Sequence, residues 1–366
     1  MTSHLFSPII LGELEFPNRI AVAPMCQYSA DDGSATDWHL QQWMSYAMSG
    51  AGMITIEMTD VERRGRISHG CLGLYSDTNE DAARRTLDAA RRVASPGAKF
   101  GVQLAHAGRK ASNRRPWEGG GPLHAGEDPW PVVSASAIPY ADGWQTPHAL
   151  DEAEIQAIID RFVEAAHRAN RAGFDFIELH SAHGYLLHQF ISPLSNTRSD
   201  RWGGSLGNRM RLAVEIARRI AEAEPHMMLG ARISVTEWVE GGLTVEDGVE
   251  VAKALKTAGA VYICCSSGGN SPLQKIPTGP GYQVHLAEAV RNGAGIATRA
   301  VGLIDDPRQA DDIVTGGRAD MVALARALLA DPRWPWRAAA TLGHDFHPAP
   351  QLARAAHLPK QWVKAA

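Results

Sequence analysis

Phe176-Ile177-Glu178-Leu179-His180-Ser181-Ala182-His183-Gly184-Tyr185 is an apolar, strand-like run that ends in two histidines, a glycine and a tyrosine. Such a strand delivers hydrogen-bonding groups into a loop at its C-terminal end. His180, His183 and Tyr185 can donate or exchange protons near pH 7 or in a tuned site. A helical pattern precedes the stretch: Asp151-Glu152-Ala153-Glu154 opens it, and Ile155, Ile158, Ile159, Phe162 and Ala166 fall on one side as far as Ala172. Helix then strand is the repeating unit of a parallel sheet.

The unit recurs in both directions along the chain. Residues 9–11 and 14–16 read as a short hairpin around Gly12-Glu13, suited to plugging one end of a barrel. The strand at 20–23 stops at Pro24, which lacks the N–H to continue a central ladder. Asp37 is expected to cap a helix from Trp38 to about Met48, 53–59 is the next strand, and Asp77 caps a helix to about Ala94. The third strand, 99–104, leads into residues 107–148, rich in Gly, Pro and Trp; so long a loop in a compact chain reads as a functional lid. After Tyr185 come an irregular loop at 192–204, a helix at 208–223, and a strand at 228–234 that carries Arg232. A helix at 245–258 and a strand at 260–265 follow, then a helix at 283–292 and a strand at 295–300 that meets Gly302. Asp306-Pro307 starts another helix, 320–324 is the last strand, and Ala325-Arg326 opens a short helix before a separate one from Pro332. About eight strands alternating with helices predict an α/β fold, a single (β/α)8 TIM barrel spanning 1–366, with 343–366 as a C-terminal tail. A doubly wound open sheet is the runner-up, opposed by the lack of Gly-x-Gly-x-x-Gly after the first strand.

The 366 residues carry 36 basic and 40 acidic side chains, spread rather than blocked, for a net charge of -4. That balance leaves no footprint for nucleic acid or an anionic membrane and favours a small-molecule partner. Cys26, Cys71, Cys264 and Cys265 form no metal or iron–sulfur spacing. With no secretory pattern in the first 20 residues and no long apolar run, a reduced, cytoplasmic protein is expected.

In a barrel of this kind the active site lies at the C-terminal strand ends. The groups gathered there are Met25, Cys26, Gln27 and Tyr28, then Glu57 and Met58, Gln103 and His106, the residues from His180 to Tyr185, and Arg232. Gly302 lets backbone approach a ligand closely. The helix at Ala325-Arg326 adds N–H groups beside a guanidinium, a phosphate cradle. A phosphate grip with donors across the mouth suits flavin mononucleotide (FMN). Plainer readings stand beside this one: Cys26 as a small buried residue, Gln103 and Arg232 satisfying carbonyls, the histidines holding backbone. A metal-dependent barrel hydrolase using His180 and His183 is the alternative function, with no third ligand of obvious spacing; a Schiff-base aldolase would want a lysine at an inner strand end.

From Asn18 onward the chain resembles the Old Yellow Enzyme family of flavin-dependent ene-reductases, in its bacterial thermophilic-like class. The resemblance rests on Ala23-Pro24-Met25-Cys26-Gln27-Tyr28, Gln103-Leu104-Ala105-His106-Ala107-Gly108-Arg109-Lys110 and His180-Ser181-Ala182-His183-Gly184-Tyr185. Asn196-Thr197-Arg198, Trp202-Gly203-Gly204-Ser205, Asn208-Arg209, Ala325-Arg326 and Asp331-Pro332 complete it. It implies FMN across the barrel mouth, flanked by Ala23, Pro24, Met25, Cys26 and Met58, with Gln103 on the pyrimidine edge and Arg232 facing N1 and the C2 carbonyl. The phosphate would lie at Gly302, Ala325 and Arg326. His180 and His183 would grip a substrate carbonyl, Tyr28 would line the pocket and Tyr185 would donate the proton. NADPH, or NADH, would give hydride and leave before an activated alkene is reduced, a ping-pong exchange. Met58 is bulkier than the family's usual residue there. The tail around Trp362 resembles a segment that enters a neighbouring subunit's site, which implies a homodimer or homotetramer. Iron–sulfur-containing relatives of the family are disfavoured by the scattered cysteines.

Overall fold

The computed structural model describes residues 4–346 and 348–355. Eight parallel strands, numbered here β1 to β8, form the centre: β1 (Ile20–Val22), β2 (Met53–Asp60), β3 (Lys99–Ala105), β4 (Phe176–Ser181), β5 (Met228–Ser234), β6 (Tyr262–Ser266), β7 (Ala297–Val301) and β8 (Met321–Leu324). Each pairs with its successor, and β8 returns to β1 with Val322 opposite Ile20. The sheet therefore closes and has no free edge. That closure bears out the (β/α)8 barrel and rules out the open doubly wound sheet.

Helices cover the outside. Glu152–Ala172 starts at Asp151, whose side chain accepts from the Glu154 N–H, and buries Ile155, Ile158, Ile159, Phe162 and Ala166 against the strands. Two expected caps are corrected by one residue. Thr36 is the N-cap of Asp37–Ala47 and Ser76 that of Asp77–Arg91. Asp37 and Asp77 occupy the first turn, where a carboxylate meets the positive end of the helix dipole. The helix expected at 208–223 is divided at Met210 into Leu206–Arg209 and Arg211–Ala223. Residues 107–148 hold two single 3-10 turns and an isolated bridge between Asn113 and Pro122, and Val133–Ser134 within them pairs with His148–Ala149 at their end. Among the described residues no helix is long and apolar enough to cross a membrane.

The barrel interior is layered. At its N-terminal end the hairpin Ile9–Leu11 and Leu14–Phe16 contributes Leu11 and Phe16 to a cluster with Met53, Phe176, Met228, Tyr262 and Met321. Phe16 meets Phe176 edge-on at 6.3 Å, so the expected plug is there. Two glycines make room for rings. A Cβ on Gly101 would lie 2.1 Å from the Phe176 ring, and one on Gly230 2.0 Å from the Tyr262 ring. Above this cluster Glu178 pairs with Arg299, both fully buried. Tyr262 Oη donates to Glu178 Oε2 at 2.9 Å, Gln103 Nε2 donates to Glu178 Oε1 at 2.8 Å, and Arg299 Nη1 donates to Thr55 Oγ1 at 3.0 Å.

The Tyr262 ring has no other place to go without losing its bond to Glu178. Gly230→Ala should therefore destabilise the protein by about 1–3 kcal/mol through overpacking, read by chemical denaturation against wild type. Unchanged stability would mean that the ring moves freely and that this layer is loosely packed.

Candidate active site

The strand ends carry the site because the chain immediately after each strand is fixed by its neighbours. Past β1, Gln27 N donates to Glu57 Oε1 at 2.7 Å, Gln27 Nε2 donates to Met25 O at 2.8 Å, and Trp38 Nε1 donates to Gln27 Oε1 at 2.9 Å. Glu57 reaches this turn because β2 slips register against β3 between Ile56 and Met58. The bulge turns Glu57 toward the β1 loop and leaves Met58 opposite Gln103. Ala23, Met25 and Gln27 then line a small internal space with Thr55 and Glu57. Pro24 lies in the same turn.

Cys26, Tyr28 and Tyr185 pack together on a cluster made of Met58, Ile67, Cys71, Ala105 and Val132. Burial, then Cys71, Glu57 and Asp60, push the Cys26 thiol well above its usual range, so it stays protonated. Burial likewise pushes up the Tyr185 phenol, with Cys26 and Tyr28 adding to the shift. Tyr185 is the residue before the helix Leu186–Ile191, an element that sequence periodicity did not disclose. Its position is therefore fixed by a helix start rather than by a free loop. Tyr28 has a left-handed backbone, φ 50°, and its carbonyl crowds Gly70, where a Cβ would come within 2.1 Å.

His180 bridges this cluster and the rest of the mouth, with ring centroids 4.9 Å from Tyr185 and 5.0 Å from His183. Burial first, then Arg232, hold both imidazoles well below the usual histidine range, so both are neutral near pH 7. His180 Nδ1 accepts from the Ala182 N–H at 3.2 Å, which puts its proton on Nε2. That Nε2 lies 3.3 Å from His183 Nδ1, and His183 Nε2 lies 2.7 Å from Ser266 Oγ. His180 Nε2–H then donates to His183 Nδ1, His183 Nε2–H donates to Ser266 Oγ, and the two imidazoles converge nitrogen to nitrogen.

This convergence depends on an unusual backbone. His183 sits at φ 59° and Gly184 at φ 72°. A Cβ on Gly184 would meet Gly269 O at 2.4 Å, and one on Gly269 would meet His183 Cα at 2.5 Å, so the two turns touch backbone to backbone. Lys110 Nζ joins them, donating to His183 O at 2.9 Å and Gly269 O at 2.8 Å, and His183 N donates to Ser234 Oγ at 3.0 Å. Arg109 Nη2 donates to Asn270 O at 2.7 Å and its Nη1 to Ile138 O at 3.1 Å, which ties in the segment after β3. Arg109 and Lys110 are the residues whose roles sequence reasoning left unassigned, although both stand in the motif after Gln103.

On the other side of His183 opens a cavity of about 550 Å³ lined by Arg232, Ser266, Tyr282, Gln283, Gly302 and Arg326, with Ala325 at its edge. Arg232 lines it with a buried Nε that has no partner among the described residues. Gly302 is at φ 130°, and a Cβ there would come 3.0 Å from Gln283 Nε2. The helix behind Arg326 is only Arg326–Ala330, so the guanidinium rather than a helix dipole supplies most of the positive charge. The structure thus gathers His183, Arg232, Gly302, Ala325 and Arg326 around the cavity and Cys26, Tyr28, Met58 and Tyr185 in the neighbouring cluster, with His180 between. Gln103 lies below, bonded to Glu178. His106 is turned away to Glu62 at 2.9 Å; despite burial, His106 and Arg64 hold that carboxyl down to about 2. Trp362 lies outside the described residues.

Residues 4–345 match the NADH:flavin oxidoreductase / NADH oxidase family. The chain belongs to that family. It is 42% identical over 356 residues, covering 97% of this chain and 99% of the relative, to a protein named NADPH dehydrogenase from Geobacillus sp. (strain WCH70). A relative of the same name from Listeria innocua serovar 6a is 41% identical over 96% of this chain and 99% of its own length. Among solved structures, morphinone reductase superposes with a TM-score of 0.76 at 26% identity, covering 96% of this chain and 93% of that one. The chain is therefore an FMN-dependent oxidoreductase, and the Old Yellow Enzyme resemblance holds. The residues fit the cofactor of a flavin oxidoreductase: a cavity with a guanidinium at each side, one of them with an unpaired N–H, and a backbone cradle at Gly302 that a side chain would obstruct. The metal-hydrolase alternative is set aside by the family. Among the described residues, no group of three or more His, Cys, Asp or Glu side chains is arranged to hold a metal ion.

Burial, then Arg109, push the Lys110 amine down to about 8. A lysine whose folded pKa is depressed binds fewer protons than in the unfolded chain between that value and its ordinary one near 10.4, so its contribution to stability rises with pH across this window. The neutral amine can still donate to both carbonyls. The stability of wild type relative to Lys110→Met should accordingly increase from pH 8 to pH 10 in chemical denaturation; a flat difference would mean that Lys110 is well solvated.

Proposed function

We propose that this protein is an ene-reductase that takes hydride from NADPH and reduces the C=C bond of α,β-unsaturated carbonyl compounds. The observation that carries the reading is the pair of neutral imidazoles whose Nε2 (His180) and Nδ1 (His183) nitrogens are 3.3 Å apart. Two neutral imidazoles this close can turn two N–H groups to one carbonyl oxygen gaining negative charge, with His183 exchanging its proton from Nε2 to Nδ1 through Ser266. The name carried by its bacterial relatives supports NADPH as the donor. FMN, when bound, would supply the hydride carrier that links the nicotinamide to the alkene.

The remaining roles belong to the chain. His180 and His183 hold the substrate oxygen and polarise the alkene, so that the β-carbon becomes electrophilic. Tyr185, protonated because burial pushes up its phenol, hands a proton to the α-carbon. Tyr28 lines the substrate side. Ala23, Pro24, Met25, Cys26 and Met58 would flank the flavin ring, and Gln103 would hydrogen-bond its pyrimidine edge. Arg232 would hold the N1 and C2-carbonyl edge of the flavin, where a fixed cation favours the reduced cofactor. Gly302, Ala325 and Arg326 would hold the phosphate, and residues 107–148 would act as the lid over the mouth.

The purified protein should be yellow, bleach anaerobically with NADPH, and regain colour with an enone. A colourless protein that does not take up added FMN would overturn the reading. His180→Ala should keep its flavin and its rate of reduction by NADPH while losing about 10²–10³-fold in the enone step, as expected when one oxyanion donor is removed. Tyr185→Phe should slow enone reduction more than flavin reduction in stopped-flow traces. Equal slowing of both steps would make Tyr185 a structural residue and not the acid.

A further inference from the structure

The ion pair inside the barrel has no evident place in the chemistry. Five of the eight strands contribute to it: Thr55, Gln103, Glu178, Tyr262 and Arg299 are all at most 3% exposed. Burying a carboxylate and a guanidinium this deeply costs free energy that hydrophobic side chains of similar volume would not, so a buried pair is weak evidence for stability. The bonds of the carboxylate show what else it does. Glu178 Oε2 is taken by Tyr262 and Arg299, and Oε1 accepts from Gln103 Nε2 at 2.8 Å. A carboxylate can only accept, so it dictates which end of the Gln103 amide it meets. The carboxamide nitrogen is held sideways against Glu178, its register partner on β4, and the carbonyl oxygen Oε1 is the end left free to accept.

We infer that Glu178 is a positioning residue: through Gln103 it presents an acceptor to the pyrimidine N3–H of the flavin, and Arg299 and Tyr262 are there to hold Glu178 in place. The inference rests on Gln103 facing the flavin. A free glutamine side chain could turn either end to that edge; this one is set before the cofactor arrives, so no rotamer search opposes binding.

A double-mutant cycle on FMN affinity tests it, with apoprotein titrated by quenching of flavin fluorescence. Glu178→Gln is combined with Arg299→Met so that no buried cation is stranded. Gln103→Met should raise the Kd about tenfold, the effect of leaving a donor unpaired. Glu178→Gln/Arg299→Met should raise it by a similar factor, and the triple variant should bind no more weakly than Gln103→Met alone, because the residue through which Glu178 acts is already gone. An unchanged Kd in Glu178→Gln/Arg299→Met, or losses that multiply in the triple variant, would overturn the inference and leave a merely structural ion pair. Wild-type apoprotein that binds no FMN would instead sink the flavin reading itself. If the charge-removed variants do not fold, the wild type carries its own test by NMR. The Gln103 side-chain amide, assigned by its loss in Gln103→Met, should show one slowly exchanging proton without FMN; two rapidly exchanging protons would reject the assignment.

Discussion

A carboxylate and a guanidinium buried together away from bulk solvent impose their geometry on everything around them. Glu178 on β4 and Arg299 on β7 face each other across the barrel; Tyr262 and Gln103 meet the carboxylate and Thr55 meets Arg299 Nη1, while Arg299 Nε has no partner among the described residues. Each partner has its own requirement. Tyr262 needs the missing side chain of Gly230, and the Phe176 ring below needs that of Gly101. The plug formed by Leu11 and Phe16 then seals the lower cluster, and the polar layer is left facing only the mouth. In an interior of low dielectric a half-satisfied set of this kind would be costly, so its members stand or fall together.

The histidine wall follows a different logic, in which backbone strain is held by hydrogen bonds. His183 takes a left-handed conformation that a non-glycine residue rarely adopts. It is kept there by Ser234 below, Lys110 across its carbonyl and Gly269 against its Cα. The outcome is that two imidazoles only three residues apart turn nitrogens toward one point. Strain of this sort persists where surrounding contacts over-determine it, and its concentration at the mouth accords with the role proposed for the pair.

Much of this was legible in the chain. Periodicity located all eight strands and the hairpin, because apolar runs bounded by Gly, Pro and capping residues report local preference directly. The strand ends then named Cys26, Gln103, His180, His183 and Arg232 as neighbours. What escaped has a common cause: it depends on partners distant in sequence or on single-residue geometry. Arg299 in Ala297-Thr298-Arg299-Ala300 carries no mark of its ion pair, since Glu178 lies on another strand across the barrel. Glu178 stands in the stretch that decided the fold, yet its inward face is a property of the closed sheet. The bulge at Glu57 and the helix Leu186–Ile191 are too short to produce a period. Thr36 and Ser76 were missed as caps because an aspartate follows each, and an aspartate is equally at home in the first turn.

The lysine bridge has one more consequence. Lys110 fastens the histidine turn to the Gly268-Gly269 turn, so neither can shift to suit a differently shaped guest. The segment after β3 is built the opposite way: Gly119, Gly120, Gly121, Gly126 and Gly143 have no atoms within 4 Å of where a side chain would begin, and Trp117 is exposed. The histidine turn is thus constrained to a single geometry, while the segment after β3 has open space around it. Its five glycines, with φ from 63° to 96°, keep the chain's path, and its exposed non-glycine positions such as Trp117 are the ones free to change. Divergence among descendants of such a protein would accumulate at those exposed positions, while the geometry of the histidine turn stays the same.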